Sequence, residues 1–313
     1  MPAHISICIP AYKNIVYVKR LLDSIAIQTY KDYEVIVTDD SPNEDVNNLC
    51  KEYEGKFRLN YFKNETALDT PENWNEALRK ANGQWMKIMH DDDWFSSENG
   101  LEAFAKATEA HPECDFFFSA YTNIYEGENR KQQMFLKPFW KKAIKNPAVL
   151  LADNVIGPPS VILHKNTKQI FYDRSMKYIV DIDFYIRFLK NSNWFYIDKP
   201  LINVGINNAQ VTKYTFGVAD VHLKEALQLL KKTGEAELKN ILVFDAWWRL
   251  IRNFSIKNIS DIRKTGFEGK VPEVIKAIIS FQKKLPVGLL KFGPFSKAMM
   301  SICYLNCKHT IQK

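Results

Sequence analysis

The sequence predicts an α/β protein: a Rossmann-like, mostly parallel central sheet flanked by helices, with a C-terminal helical extension. Three observations predict it. Strand-like and helix-like periods alternate through the first hundred residues, acids cluster where the strand-like runs end, and from about residue 218 the pattern becomes helical.

The elements follow in order. "HISICIPAY" places Ile5, Ile7 and Ile9 on one face, and "YEVIVTDDS" is a β-branched run ending in two acids and a turn signal, so both read as strands. Between them Ile15, Val18, Leu21, Leu22 and Ile25 fall at helical spacing, as do Val46, Leu49, Cys50 and Tyr53 after the second strand. A short strand "RLNYFKN" follows. In "TPENWNEALRKANG", Thr70 is a candidate N-cap and Pro71 takes the first helical position. Trp74, Ala77, Leu78 and Ala81 share a face, and Gly83 lies past the helix end. "QWMKIMH" is the next strand. In doubly wound sheets of this kind, ligands bind outside the carboxyl ends of the strands.

With 313 residues, 46% hydrophobic and 25% charged, the chain is an ordinary soluble protein, long enough for one large domain or two modest ones. Its five cysteines are odd in number and scattered, with no CxxC pair, which fits a reducing compartment. No secretory signal and no window of about 18 uninterrupted apolar residues is present, so the expected location is the cytoplasm, with access to the inner face of the cytoplasmic membrane. The net charge of +7 is uneven: residues 251–313 hold 12 Lys plus Arg against 3 Asp plus Glu, which leaves −2 for the first 250. Such a body argues against a nucleic-acid partner.

The expected strand ends carry "PAY", "DDS" and "DDDW", which gathers Asp39, Asp40, Asp91, Asp92 and Asp93 at one edge of the sheet. Five carboxylates there repel unless a cation or a donor-rich ligand compensates them. Hard oxygen ligands on short spacing suit Mn²⁺ or Mg²⁺, which share their remaining positions with water and substrate phosphates. A lone DxD is usually a solvated turn; this one follows an apolar strand and has a second acid pair at another strand end.

"SICIPAYKNIVYVKRLLDSIAIQTYKDYEVIVTDDSPNE", followed by "NWNEALRKANGQWMKIMHDDDWF", resembles the N-terminal half of a family 2 glycosyltransferase of the GT-A fold, of the bacterial surface-polysaccharide type. The likeness covers about the first 95 residues, thins through 111–160, and returns at "GPPSVILHK", the acceptor-side strand, and at "VDIDFYIRFL". It implies a catalytic domain over 1–215, with a nucleotide-sugar half at 1–95 and an acceptor-side half at 96–215, and a basic helical region over 216–313. It further implies metal-dependent, inverting transfer of a hexose or N-acetylhexosamine from a nucleotide-sugar. A UDP-sugar is favoured over GDP or dTDP donors, and the acceptor is a hydroxyl of a saccharide or lipid-linked saccharide in capsule, O-antigen or lipooligosaccharide assembly. Carried over by position, Pro10, Ala11 and Tyr12 line the base pocket, and Asp40, beside Asp39, accepts a hydrogen bond from the base. Asp93 and Asp91 are the metal acids, Asp91 or Asp92 lies nearer the ribose and sugar, and Asn73 and Trp74 sit at the donor pocket, Trp74 equally being a core residue. Asp181 matches the catalytic base, although Val180 stands where the family usually has Glu or Asp.

The chemistry supports Asp181 independently. Inverting transfer is one displacement, in which a single carboxylate removes the acceptor proton. Asp181 and Asp183 are two apart and cannot share a helix face, whereas Asp183 and Arg187 are four apart and can pair, which leaves Asp181 for catalysis. His90 either touches phosphate or packs, with packing favoured, and His164 either reaches the acceptor or lies at the surface, with the surface favoured. Phe116 to Phe118 read as a buried strand, and the pairs Trp94–Phe95 and Trp247–Trp248 read as packing, with a sugar-binding wall as the alternative.

In the C-terminal region, "VPEVIKAIISFQKKL" places Val271, Val274, Ile275, Ile278, Ile279 and Leu285 on one stripe, with lysines elsewhere. The following apolar stretch is broken by Pro286, Gly288, Gly293, Pro294 and two lysines, so an interfacial position on anionic lipid competes with simple packing. Two other functions fit less well. A sugar-phosphate nucleotidyltransferase needs a glycine-rich loop after the first strand, and "PAYKNIVYVKR" has no glycine; a non-catalytic sugar-binding subunit has no need of the intact acids.

Overall fold

The computed structural model describes residues 4–207, 218–309 and 311. Its first strands and helices are β1 (Ile5–Ala11), α1 (Ile15–Ala26), β2 (Tyr33–Asp39), α2 (Asp45–Lys51), β3 (Leu59–Lys63), α3 (Glu72–Lys80) and β4 (Trp85–Ile88). These are the elements the periodicity predicts. All seven positions of β1 and of β2 are buried, as expected of strands covered by helices on both faces.

Then come β5 (Trp94–Phe95), α4 (Gly100–Ala110), β6 (Phe116–Tyr125), β7 (Arg130–Met134), α5 (Pro138–Ala143), β8 (Ile162–Lys165), α6 (Val180–Leu189) and β9 (Trp194–Ile206). The sheet runs β3-β2-β1-β4-β8-β6-β9-β5, with β7 on β6. The pairs β3/β2, β2/β1, β1/β4 and β6/β9 are parallel, while β8 lies antiparallel to both its neighbours. Four adjacent parallel strands therefore end on one edge. That edge carries "PAY", "DDS" and the acid turn.

Two local expectations are corrected. Thr70 does not cap α3: Pro71 is the cap residue, with no side-chain capping bond, and the helix stops at Lys80 because Ala81 turns extended (ψ 134°) toward β4. Gly83 lies past the helix end, as expected, and beyond the cap position. It lies against β1, where a Cβ would come 2.7 Å from the Ser6 backbone nitrogen. His164 is not at the surface. It is 2% exposed, packed against Phe184 and Phe188 at ring distances of 5.2 Å, and burial holds its pKa down to about 4.

The chain forms two compact units: Met1–Lys142, Val155–Met176 and Asp183–Gln210 in one, and Ala143–Asn154, Lys177–Ile182 and Val211–Lys313 in the other. The second thus takes in two short segments from within the expected catalytic domain, and the expected boundary at 215/216 lies outside the described residues. Its helices are α7 (Ala219–Thr233), α8 (Ile241–Asn253), α9 (Ile259–Lys264), α10 (Glu273–Lys283), α11 (Val287–Lys291) and α12 (Gly293–Cys307). Trp247 and Trp248 are buried, and the Trp248 Nε1–H donates to Ser296 Oγ at 3.0 Å, so this pair forms packing and no sugar-binding wall. Among the described residues, no helix is long and apolar enough to cross a membrane.

Candidate active site

At the ends of β1 and β2 the predicted nucleotide residues form one network. The Asn73 amide donates to the carbonyls of Ala11 and Thr38 at 3.3 Å each, so it staples the two strand ends together. Asp40 Oδ1 accepts from Asn64 Nδ2 at 2.7 Å and from the Leu68 N–H at 3.0 Å, while its Oδ2 accepts from the Asp69 N–H at 2.9 Å. An ionised carboxylate offers about four acceptor positions, so Asp40 keeps capacity for one more donor. Asp39 is fully buried and accepts from the Ser41 N–H (2.8 Å), Tyr61 Oη (2.7 Å) and Lys63 Nζ (3.2 Å). Both acids of "TDDS" are thus compensated by the protein itself. Tyr12, by contrast, is 51% exposed beside the buried Pro10 and Ala11.

The acid turn after β4 is built differently. Asp93 is 1% exposed; its Oδ1 accepts from the Gly205 N–H at 3.1 Å, and its buried Oδ2 has no hydrogen-bond partner among the described residues. Asp92 Oδ2 accepts from Asn207 Nδ2 at 3.0 Å, and its carbonyl accepts from Arg20 at 2.8 Å. Arg20 also lies 3.8 Å over the Trp94 ring and pairs with Glu126 at 3.1 Å, which fixes the turn from the side of α1. Burial first, and then the charge of Asp92, push the Asp91 carboxyl up to about 7 and the Asp93 carboxyl well above the usual range. Three adjacent acids in one partly desolvated turn carry an electrostatic cost that a cation removes.

A divalent ion fits the groups present. Ligand atoms of His90, Asp92 and Asp93 all lie within 4.8 Å of one another, about the span of a coordination sphere with ligands at roughly 2.1 Å. Asp91 stands outside that group. The imidazole of His90 packs at 4.5 Å against Trp74, its backbone N–H donates to Ser160 Oγ at 2.9 Å, its buried Nε2 has no partner among the described residues, and burial holds its pKa below the ordinary value. Trp74 is only partly buried, its ring also meeting Tyr172 edge-on.

Sequence reading passed over the supports of this turn. Lys87 is fully buried under it, donating to the carbonyls of Ser160 (2.5 Å) and Ile162 (3.3 Å) over the Phe104 ring. One signal was visible: a single cation inside the apolar "WMKIM". Gly205 carries a requirement that nothing local reveals, since a Cβ there would lie 2.4 Å from the Asp92 carbonyl oxygen.

Asp181 sits in the first turn of α6 in the second unit. It is half-buried, its Oδ2 accepts from Asn154 Nδ2 at 2.8 Å, and burial raises its pKa to about 6. Asp183, fully buried, pairs with Arg187 at 2.6 Å, and Arg187 also donates to the Phe171 carbonyl, the structural pairing the spacing predicts.

The profile of "Glycosyl transferase family 2" matches residues 6–182. The chain belongs to that family. It is 27% identical to an uncharacterized glycosyltransferase of Haemophilus influenzae over 63% of this chain and 66% of that one. It is 30% identical to an uncharacterized glycosyltransferase of Methanocaldococcus jannaschii over 61% of this chain and 67% of that one. The match thus spans about two thirds of each relative. In fold, this family 2 chain resembles residues 1–349 of TarS from S. aureus in complex with UDP, with TM-score 0.63, 18% identity, and coverage of 99% and 91% of the two chains. It also resembles the Pyrobaculum calidifontis mannosyltransferase PcManGT in complex with GDP-Man and Mn²⁺, with TM-score 0.52, 14% identity, and coverage of 100% and 89%. The GT-A fold is thereby established for this chain.

Proposed function

We propose that this glycosyltransferase moves a sugar, with inversion, from a UDP-sugar to an acceptor hydroxyl, with a divalent cation held at the acid turn. The observation that carries the reading is Asp93: buried, ionisable, and with its Oδ2 lacking a hydrogen-bond partner among the described residues, at the carboxyl end of a parallel strand. TarS, whose complexes hold UDP and UDP-GlcNAc, supports the choice of donor, and the Mn²⁺ complex of PcManGT supports the cation.

Asp93 and Asp92 would hold the ion, Asp92 taking the position first expected of Asp91, and Asp91 would face the donor's ribose and sugar. A divalent cation bound there supplies Lewis-acid neutralisation of the leaving diphosphate. Pro10, Ala11, Tyr12, Asp39 and Asp40 form the base side, with Asp40 offering its remaining acceptor position and Asn73 fixing the strand ends. Asp181 removes the proton of the acceptor hydroxyl as its oxygen attacks the anomeric carbon and the nucleoside diphosphate departs. A carboxylate with a raised pKa is a better base than a solvent-exposed one.

We assign the setting to bacterial surface-polysaccharide assembly, with a saccharide or lipid-linked saccharide acceptor met at the inner face of the cytoplasmic membrane. Val287, Leu289 and Phe292 are 55%, 46% and 60% exposed, and after Glu273 no acid follows in the sequence while seven lysines do. Exposed apolar groups ringed by lysines suit an anionic lipid surface. Flotation with anionic vesicles should carry the chain upward and leave Val287→Ser/Leu289→Ser/Phe292→Ser behind; equal flotation of the two removes the lipid assignment.

Thermal stabilisation across a nucleotide-sugar panel with Mn²⁺ tests the donor, because a ligand that binds the native state raises apparent stability by mass action. UDP and one UDP-sugar should raise Tm. No shift with any nucleotide would overturn the reading.

A further inference from the structure

We propose that His90 is a nitrogen ligand of the cation held by Asp92 and Asp93, so that the site has a mixed nitrogen–oxygen donor set and prefers Mn²⁺ to Mg²⁺. This inference rests on the metal-dependent reading above and specifies its ligands. It is carried by two independent features. The ligand atoms of His90, Asp92 and Asp93 are mutually within 4.8 Å. Two buried atoms of that group, His90 Nε2 and Asp93 Oδ2, have no hydrogen-bond partner among the described residues.

A buried polar atom without a partner forfeits its hydration, at a cost of about 1–3 kcal/mol, and native proteins rarely leave two such atoms in one turn without a function. Both are relieved at once by a cation, since a ring nitrogen and a carboxylate oxygen are each electron-pair donors. The surroundings hold His90 in place. Ser160 Oγ fixes its backbone N–H at 2.9 Å, Trp74 covers the ring at 4.5 Å, and Lys87 anchors the Ser160 carbonyl at 2.5 Å. The result is a ring whose position is set before any ion arrives, so binding has little side-chain ordering to do.

The donor set decides the metal. Mg²⁺ is a small, hard ion that keeps oxygen ligands and gives up water reluctantly, whereas imidazole nitrogen suits first-row transition metals. Replacing one carboxylate by a neutral imidazole also removes a negative charge, which weakens the site for Mg²⁺ more than for an ion that gains from nitrogen ligation. His90 therefore acts as a specificity-determining residue at the cation.

The test uses tag-free full-length protein with UDP and either Mn²⁺ or Mg²⁺. Calorimetry should give a Mn²⁺-over-Mg²⁺ preference that falls about tenfold or more in His90→Gln and most steeply in His90→Asp. Pulsed electron paramagnetic resonance of the bound Mn²⁺ should show imidazole ¹⁴N coupling in the native protein and none in His90→Gln. Absent nitrogen coupling, or an unchanged metal preference in both variants, overturns the role of His90. If Asp93→Asn still loses the ion in that case, the metal-dependent reading stands without it. If Asp93→Asn binds Mn²⁺ as the native protein does, that reading and the inference fall together.

Discussion

The backbone N–H of Gly205 donates to Asp93 Oδ1 at 3.1 Å, while a Cβ at Gly205 would lie 2.4 Å from the carbonyl oxygen of Asp92. The last strand of the sheet thus holds the acid turn by contact so close that only glycine fits. Gly205→Ala should push the turn away, at a cost of about 1–3 kcal/mol for overpacking. The variant should show a lowered urea midpoint and weaker Mn²⁺-dependent UDP binding together. A lower midpoint with native UDP affinity would confine Gly205 to packing.

Arg20 holds the same turn from the other side, through the Asp92 carbonyl, Glu126 and the Trp94 face. A planar guanidinium can stack and donate along two directions at once, which an ammonium cannot. Arg20→Lys should therefore weaken donor affinity nearly as much as Arg20→Ala, by roughly tenfold. Full rescue by lysine in a direct binding assay would reduce the contribution of Arg20 to charge alone.

The pKa of about 6 at Asp181 sets two pH dependences of opposite sense. In its proposed role as base Asp181 must be ionised, so kcat/KM should fall tenfold per pH unit below about 6, and Asp181→Asn should lose transfer while keeping UDP affinity. Stability runs the other way. A carboxyl whose folded pKa is raised holds its proton more tightly in the native state, so its contribution is full below the unfolded value near 4 and is lost as pH rises through about 6. Asp181→Asn should therefore be more stable than the native protein at pH 8, by about 1–2 kcal/mol after allowance for partial exposure, and little different at pH 4. Urea titrations at the two pH values check this.

Asp183 makes the contrasting case. Arg187→Met would leave a fully buried carboxylate without its cation, at a cost of about 3–5 kcal/mol. The loss should appear in the urea midpoint and persist in the presence of UDP. A mild effect, under about 1 kcal/mol, would show that the Asp183 charge is already satisfied by its other neighbours.

The order of β1 to β4 was legible because two periods, two and about 3.6, alternate cleanly there and the apolar runs are short. Asp183–Arg187 was legible from spacing on one helix. The start of α3 was misread, since Thr-Pro carries a capping signature while the turn geometry that decides its use is tertiary. The surface expectation for His164 failed for a similar reason: a histidine after an apolar strand faces either side, and only Phe184 and Phe188 decide which. Five acids gather at the strand ends, but Lys63, Tyr61, Asn64 and backbone N–H groups already satisfy Asp39 and Asp40. The uncompensated charge that calls for a cation therefore lies in the turn after β4 alone. Gly205 and Arg20 lie 112 and 73 positions from Asp93, and no local pattern links them to it.

The account's central claim is that Asp93 holds a divalent cation on which nucleotide binding depends. Calorimetric titration of UDP into the native protein with Mn²⁺, with a chelator, and into Asp93→Asn with Mn²⁺ tests it most directly. The account predicts measurable affinity in the first case and a loss of at least about tenfold in the other two. Equal affinity in all three would contradict it.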